Sequence, residues 1–186
     1  MLARMRSSEG GRDILARKPR VKLDAQEVQR LAAMPAGTFG HAYGTYLSEH
    51  GFKPKDRKEV HLISSPELAY VMQRYREVHD FWHALSGLPP TVAGELALKW
   101  LEMTHTGLPM AALSALVGPL RLSCSELRAL NKYLVPWAVA TGNSCVCLMS
   151  VPYEDLWERN LEELRAEMRF PAAPAHVLDW AKKGLI

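Results

Sequence analysis

Apolar residues recur at helical spacing along nearly the whole chain, and no segment sustains the two-residue alternation, bounded by turn signals, that marks a strand. That pattern confines the chain to an all-α architecture, a helical bundle. With 186 residues it can bury a core without disulfide or metal staples, so one globular domain spanning 1–186 is expected. The 48% hydrophobic and 23% charged content fits a folded protein and argues against disorder. Lys and Arg exceed Asp and Glu by only three, and no basic run interleaved with aromatics occurs, so nucleic acid is excluded as a partner.

Helix boundaries can be placed from caps and breakers. Asp24 to Glu27 is a capping box for a short helix that Pro35 ends. Thr38 opens a second helix, which runs to Gly51. Ser65, with Pro66 in the first helical position, starts a long helix that should last to about Ser86, where Gly87 and two prolines break it. A helix from about Thr91 to His105 follows. Met103 to Leu120 carries no Asp, Glu, Lys or Arg and reads as a buried or lipid-facing helix pair, not a span of about 20 apolar residues. A capping box at Ser123 to Glu126 starts a helix to about Tyr133, and Pro136 limits it or opens the next. The stretch YEDLWERNLEELRAEM reads as one amphipathic helix, with Leu156, Trp157, Leu161, Leu164 and Met168 on its apolar side.

Cys124, Cys145 and Cys147 lack the paired spacing of a zinc knot and are expected to be small buried hydrophobes in a reducing compartment. Met1 to Arg20 has no apolar core for a secretory leader. Its five Arg suggest a mitochondrial presequence, but Glu9 and Asp13 do not fit one.

The chemistry concentrates in HDFWHALSGLPPTVAGE, His79 to Glu95. On one helix, His79 and His83 lie within about 40° of each other, one turn apart, with Asp80 about 100° round. The GLPP break lets the chain reverse, so Glu95 in the first turn of the next helix can face the same point. Two imidazoles and two carboxylates converging from two helices are what a divalent cation needs. That donor set suits zinc, iron(II), manganese or magnesium. Two other metal chemistries fit less well. A phosphohydrolase of the adjacent His-Asp type needs an upstream His, for which His61 is available, and a downstream Asp that is not evident before Asp155. A ferritin-like di-iron site needs two Glu-x-x-His motifs, and only Glu102 to His105 supplies one.

The string His-Asp-x-x-His, eleven residues, Glu resembles the signature of the Coq-four family of ubiquinone (coenzyme Q) biosynthesis proteins. The flanking words ELAYVMQRYREVHD, TGLPM, GPLRL, LVPWA and YEDLWERNLEELRAE are similar too, so the resemblance runs from about Ile14 to the C-terminal region. It implies an α-helical protein, peripheral on the matrix side of the mitochondrial inner membrane, in the multi-enzyme complex that modifies the ubiquinone head group. The metal ligands it implies are His79, Asp80, His83 and Glu95, with zinc the first candidate metal and iron, manganese or magnesium as alternatives. The implied activity is that of a carbon-carbon lyase, removing the C1 carboxylate from a 4-hydroxy-3-methoxy-5-polyprenylbenzoate, with C1 hydroxylation as a coupled variant. The alternative is a non-catalytic lipid-binding scaffold that organises the other coenzyme Q enzymes. Implied partners are those enzymes, the polyprenylated precursor, the inner-membrane lipid surface and a second copy of the chain. Family members usually carry a transit peptide and a further helical segment before EGGRDILARKPR, so an N-terminal segment is expected to be missing here.

No general acid can be assigned; His61, Tyr75 and Glu102 are candidates. LPMAALSALVGPLRL offers apolar side chains for a prenyl trough. The C-terminal AHVLDWAKKGLI sets Val177, Leu178, Trp180, Leu185 and Ile186 beside Lys182 and Lys183, suiting either an anionic membrane surface or docking on the domain.

Overall fold

The computed structural model describes residues 1–184, and among them no strand occurs, only helices, turns and one isolated bridge between Thr38 and Asn160. The all-α class is therefore the one observed. The helices are α1 (Leu2–Ser7), α2 (Glu9–Arg17), α3 (Ala25–Ala32), α4 (Phe39–His50), α5 (Pro66–Ser86), α6 (Val92–Thr106), α7 (Pro109–Val117), α8 (Cys124–Ala129), α9 (Val135–Ser144), α10 (Leu161–Met168) and α11 (Ala175–Lys182). They group into two compact units, Met1–Ala84 with Cys147–Leu164, and Leu85–Val146 with Arg165–Ile186.

The first unit is built on α5, whose buried face is unusually polar. Arg74 is wholly buried yet fully used: it donates to Glu154 at 2.8 and 3.3 Å, and to the carbonyls of Met149 and Val151 at 3.3 and 2.6 Å. One turn on, buried Glu77 accepts from Arg20 (2.9 Å), the Val21 amide (3.0 Å) and Gln73 (2.8 Å). Charges this deep persist because partners replace their lost hydration. The apolar part of the core is aromatic. Phe81 of α5 lies 4.4 Å from Tyr43, 4.8 Å from Tyr153 and 5.7 Å from Trp157 between ring centres. Helix α3 starts at the predicted Asp24 box and packs closely on α4, because Gly44 brings the two backbones together. α1 and α2 were not foreseen; they bury Met5 and Ile14 and are separated by Ser8, whose hydroxyl caps α2.

In the second unit α6 packs on α7 and α9, with Gly118 against Leu96 and Gly142 against Leu101 and Thr104. Pro136 opens α9: it follows a single π-helical turn, Leu130–Leu134, that joins α8 to α9 without a break. A widened turn of this kind takes up a proline whose ring and missing N–H an α-helical interior rejects. α11 docks within this unit through wholly buried Val177, through Leu178 against Gly87, and through Trp180 against Tyr133. Leu185, Ile186 and the side chain of Lys182, expected to join this apolar and basic tail, lie outside the described residues.

Three local expectations need correcting. YEDLWERNLEELRAEM is not one helix: a 3-10 turn at Tyr153–Asp155 and an irregular stretch precede α10. The Trp157 and Arg159 carbonyls accept instead from the Gly40 and Phe39 amides, and Asn160 then caps α10 by accepting from the amides of Glu162 and Glu163. The helix pair expected between Met103 and Leu120 is the end of α6, the single nine-residue α7 and a 3-10 turn, Gly118–Arg121. Cys124 is exposed, not buried, since it sits in the first turn of α8 right after its Ser123 cap.

A Gly44→Ala change places its Cβ against the backbone of Leu31 and Ala32, which cannot swing aside. A loss of about 1–3 kcal/mol and a lower melting temperature are expected, read by thermal circular dichroism; an unchanged melt would show that α3 and α4 tolerate separation.

Candidate metal centre

His79 and His83 are set by the periodicity of α5, one turn apart on the same helix. Their Nε2 atoms are 3.2 Å apart and the rings meet edge to face. His83 is buried at 1% exposure and stacks on Tyr46 of α4, ring centres 5.1 Å apart. Glu95 stands in the first turn of α6, where Thr91 caps the helix by accepting from the Gly94 amide at 3.2 Å. His79, His83 and Glu95 are the one group among the described residues that could hold a metal ion.

The geometry suits a cation. Two ligands each about 2.0–2.1 Å from a tetrahedral ion lie about 3.3 Å apart, close to the separation of the two imidazole nitrogens. Zinc, iron(II) and manganese all accept imidazole and carboxylate together.

Asp80 is turned differently. It forms an ion pair with Arg57 through Oδ2, and both are largely buried. That leaves Oδ1 as the oxygen through which it would join the set. The adjacent hydroxyl of Tyr43 is wholly buried; desolvation, then the negative charge of Asp80, hold its pKa well above the usual phenol value. The other residues singled out go elsewhere. Glu102 is completely buried and paired with Lys99 at 2.7 Å. His105 Nδ1 faces the Gly142 carbonyl at 3.0 Å and the Cys145 thiol at 3.3 Å, so the lone Glu-x-x-His does not assemble a second site. His61 is exposed and Tyr75 is buried.

An apolar cavity of about 780 Å³ opens beside Glu95. Leu113, Val117 and Leu120 line it together with Val92 and Leu96, and Lys99 and Arg121 supply its charges. Met110, Leu113, Leu116, Val117 and Leu120 are all exposed, more than half of the large apolar side chains that are exposed among the described residues. Sequence reasoning pointed to this segment, but not to its α6 wall or to Arg57, which no short motif marks. Among the described residues no helix is long and apolar enough to cross a membrane.

An all-α protein with paired His79 and His83 near the end of α5 and a Glu in the first turn of α6 is the class these features define. The chain belongs to the Coq4 family: the model described as Coenzyme Q (ubiquinone) biosynthesis protein Coq4 matches residues 1–174. It is 44% identical over 175 residues to the mitochondrial ubiquinone biosynthesis protein COQ4 homolog of Danio rerio, covering 94% of this chain and 65% of that protein. With the mitochondrial COQ4 of Laccaria bicolor it shares 47% identity over 164 residues, 88% of this chain and 55% of that one. The human homolog is 40% identical over 173 residues, 93% and 65%. The chain thus spans about two-thirds or less of the length of these relatives. A crystal structure of a Nostoc punctiforme protein has the same fold, with a TM-score of 0.72 over 90% of this chain and 78% of that one at 18% identity.

His83→Ala should abolish stoichiometric metal uptake, measured by elemental analysis after dialysis. Because His83 is buried against Tyr46, the same change should also lower stability, by about 2 kcal/mol as for other buried large-to-small changes. Equal metal content in mutant and wild type would refute the assignment.

Proposed function

We propose that this chain acts in ubiquinone biosynthesis as a metal-dependent carbon-carbon lyase, removing the C1 carboxylate of a 4-hydroxy-3-methoxy-5-polyprenylbenzoate. The observation that carries the reading is the pairing of His79 and His83, Nε2 atoms 3.2 Å apart, with Glu95 in the first turn of α6 as the third candidate ligand. Those three side chains hold the cation, Asp80 completes the set through Oδ1, and residues 1–186 serve as one domain. A divalent cation bound there supplies Lewis acidity toward an oxygen of the head group. Zinc is the first candidate, with iron, manganese and magnesium as alternatives.

The chain's own part is placement. The cavity beside Glu95, about 780 Å³ with a mainly apolar wall, is large enough to take isoprene units, each buried CH₂ contributing about 0.8 kcal/mol. Glu95 stands in its wall, so a ligand held there would lie against that carboxylate. The names of the relatives support mitochondrial residence, and the exposed strip on α7 supports docking at the lipid surface of the inner membrane, on the matrix side, beside other enzymes of the pathway. That same strip also supports the second reading, a lipid-binding scaffold that presents the precursor without turning it over.

Purified chain reconstituted in turn with zinc, iron(II), manganese and magnesium, and given a short-chain prenylated 4-hydroxybenzoate, should release carbon dioxide with a matching product mass. Glu95→Gln should cut the rate at least about 100-fold. Metal-loaded, folded protein that binds the probe but releases no carbon dioxide with any metal would favour the scaffold. In a separate test, Val117→Asp in the cavity wall should weaken prenyl binding while metal content stays unchanged, as scored by parallel titration and elemental analysis.

A further inference from the structure

The ion pair between Arg57 and Asp80 uses one oxygen of the carboxylate and leaves the other. Arg57 gives Nη2 to Asp80 Oδ2, whereas its Nη1 is buried with no hydrogen-bond partner. A guanidinium beside a carboxylate commonly spends two N–H groups on both oxygens at once. Here the second arm goes unused, at the cost of its desolvation. Asp80 accepts no further hydrogen bond among the described residues, and the buried side-chain N and O atoms without a partner there are Arg57 Nη1 and the Tyr43 hydroxyl. Oδ1 is therefore unclaimed yet not sealed from solvent. Arg57 and Asp80 also stand in the wall of a cavity of about 520 Å³, with Phe52, Lys53 and Asp56, and 13% of the Asp80 side chain is exposed.

A carboxylate with one oxygen tied down discriminates between cations. Zinc in its tetrahedral sites is satisfied by one oxygen from a carboxylate. Calcium fills roughly six to eight oxygen positions and often takes both oxygens of one carboxylate. Asp80 can offer both only if Oδ2 leaves Arg57, which would strand a largely buried guanidinium without a partner on either arm. That cost falls on an ion that needs two oxygens and spares one that needs a single oxygen.

We infer that Arg57 is a positioning residue that sets the ion preference of the site: by holding Oδ2 it confines Asp80 to a single-oxygen ligand and turns the site from calcium toward zinc, iron(II), manganese or magnesium. The inference rests on the metal reading proposed above, with Asp80 in the ligand set.

The test uses the intact chain loaded with manganese, and reads the calcium concentration that displaces half of it, free manganese being counted by electron paramagnetic resonance. Both ions carry two charges, so loss of the Arg57 charge alone shifts both affinities alike and cancels in this competition. Loss of its hold on Oδ2 does not cancel. Arg57→Met, which keeps much of the buried stem, should lower the calcium required about tenfold. Arg57→Lys, which still donates to one oxygen, should stay near wild type. In an Asp80→Asn background, adding Arg57→Met should change nothing further, because Arg57 acts through that carboxylate. Should Arg57→Met fail to fold by circular dichroism, Arg57→Gln takes its place with a shift in the same direction. An unchanged competition in the folded neutral variant, or the same shift with and without the Asp80 carboxylate, would overturn the inference. Wild type that takes up no manganese overturns it as well. If wild type takes up none of the four candidate ions, the metal reading falls too, whereas retained uptake with unchanged competition sinks the role of Arg57 alone.

Discussion

The first unit depends on a guanidinium that has left water entirely. Arg74 sits on α5 with no exposed surface, and it survives there because Glu154 and two carbonyls of the segment around residues 149–151 take its hydrogens. That ties the stretch from Cys147 to Leu164 onto the middle of α5. Removing either partner would leave a buried charge uncompensated, which costs far more than an exposed pair contributes. With that segment fixed, Trp157 and Tyr153 are in place to complete the aromatic core around Phe81, and the last turns of α5 carry His79, Asp80 and His83 in a defined orientation.

Much of this was legible in residue order alone. Capping boxes at Asp24 and Ser123, proline after Ser65 and glycine after Ser86 mark helix ends through local hydrogen bonding, so they survive folding unchanged. The pairing of His79 and His83 was legible for the same reason: one helical turn brings their Nε2 atoms to 3.2 Å. What escaped notice depends on partners distant in sequence. The stretch from Leu156 to Asn160 has a helix-compatible pattern, yet its carbonyls are claimed by the start of α4, and no local signal records that claim. The pairing of Asp80 with Arg57, 23 residues earlier, is equally invisible, as is the burial of His83 beneath Tyr46.

The candidate ligands and the neighbouring cavity draw on different parts of the chain. His79 and His83 stand on helix α5, while side chains from the loop after α4, Phe52 and Arg57 among them, line a cavity of about 520 Å³.

The contact between α4 and the stretch before α10 limits where this chain can vary in length. Loops ordinarily absorb inserted residues because their backbone faces solvent. Here the Trp157 and Arg159 carbonyls and the Leu161 amide are bonded in strict order to Gly40, Phe39 and Gly37. An extra residue between 157 and 161 would shift that order, leave the first amides of α4 without acceptors and pull the Trp157 indole from its stack on Phe39. The segment resembles a loop in its irregular dihedrals, but it has the fixed length of a strand in a ladder.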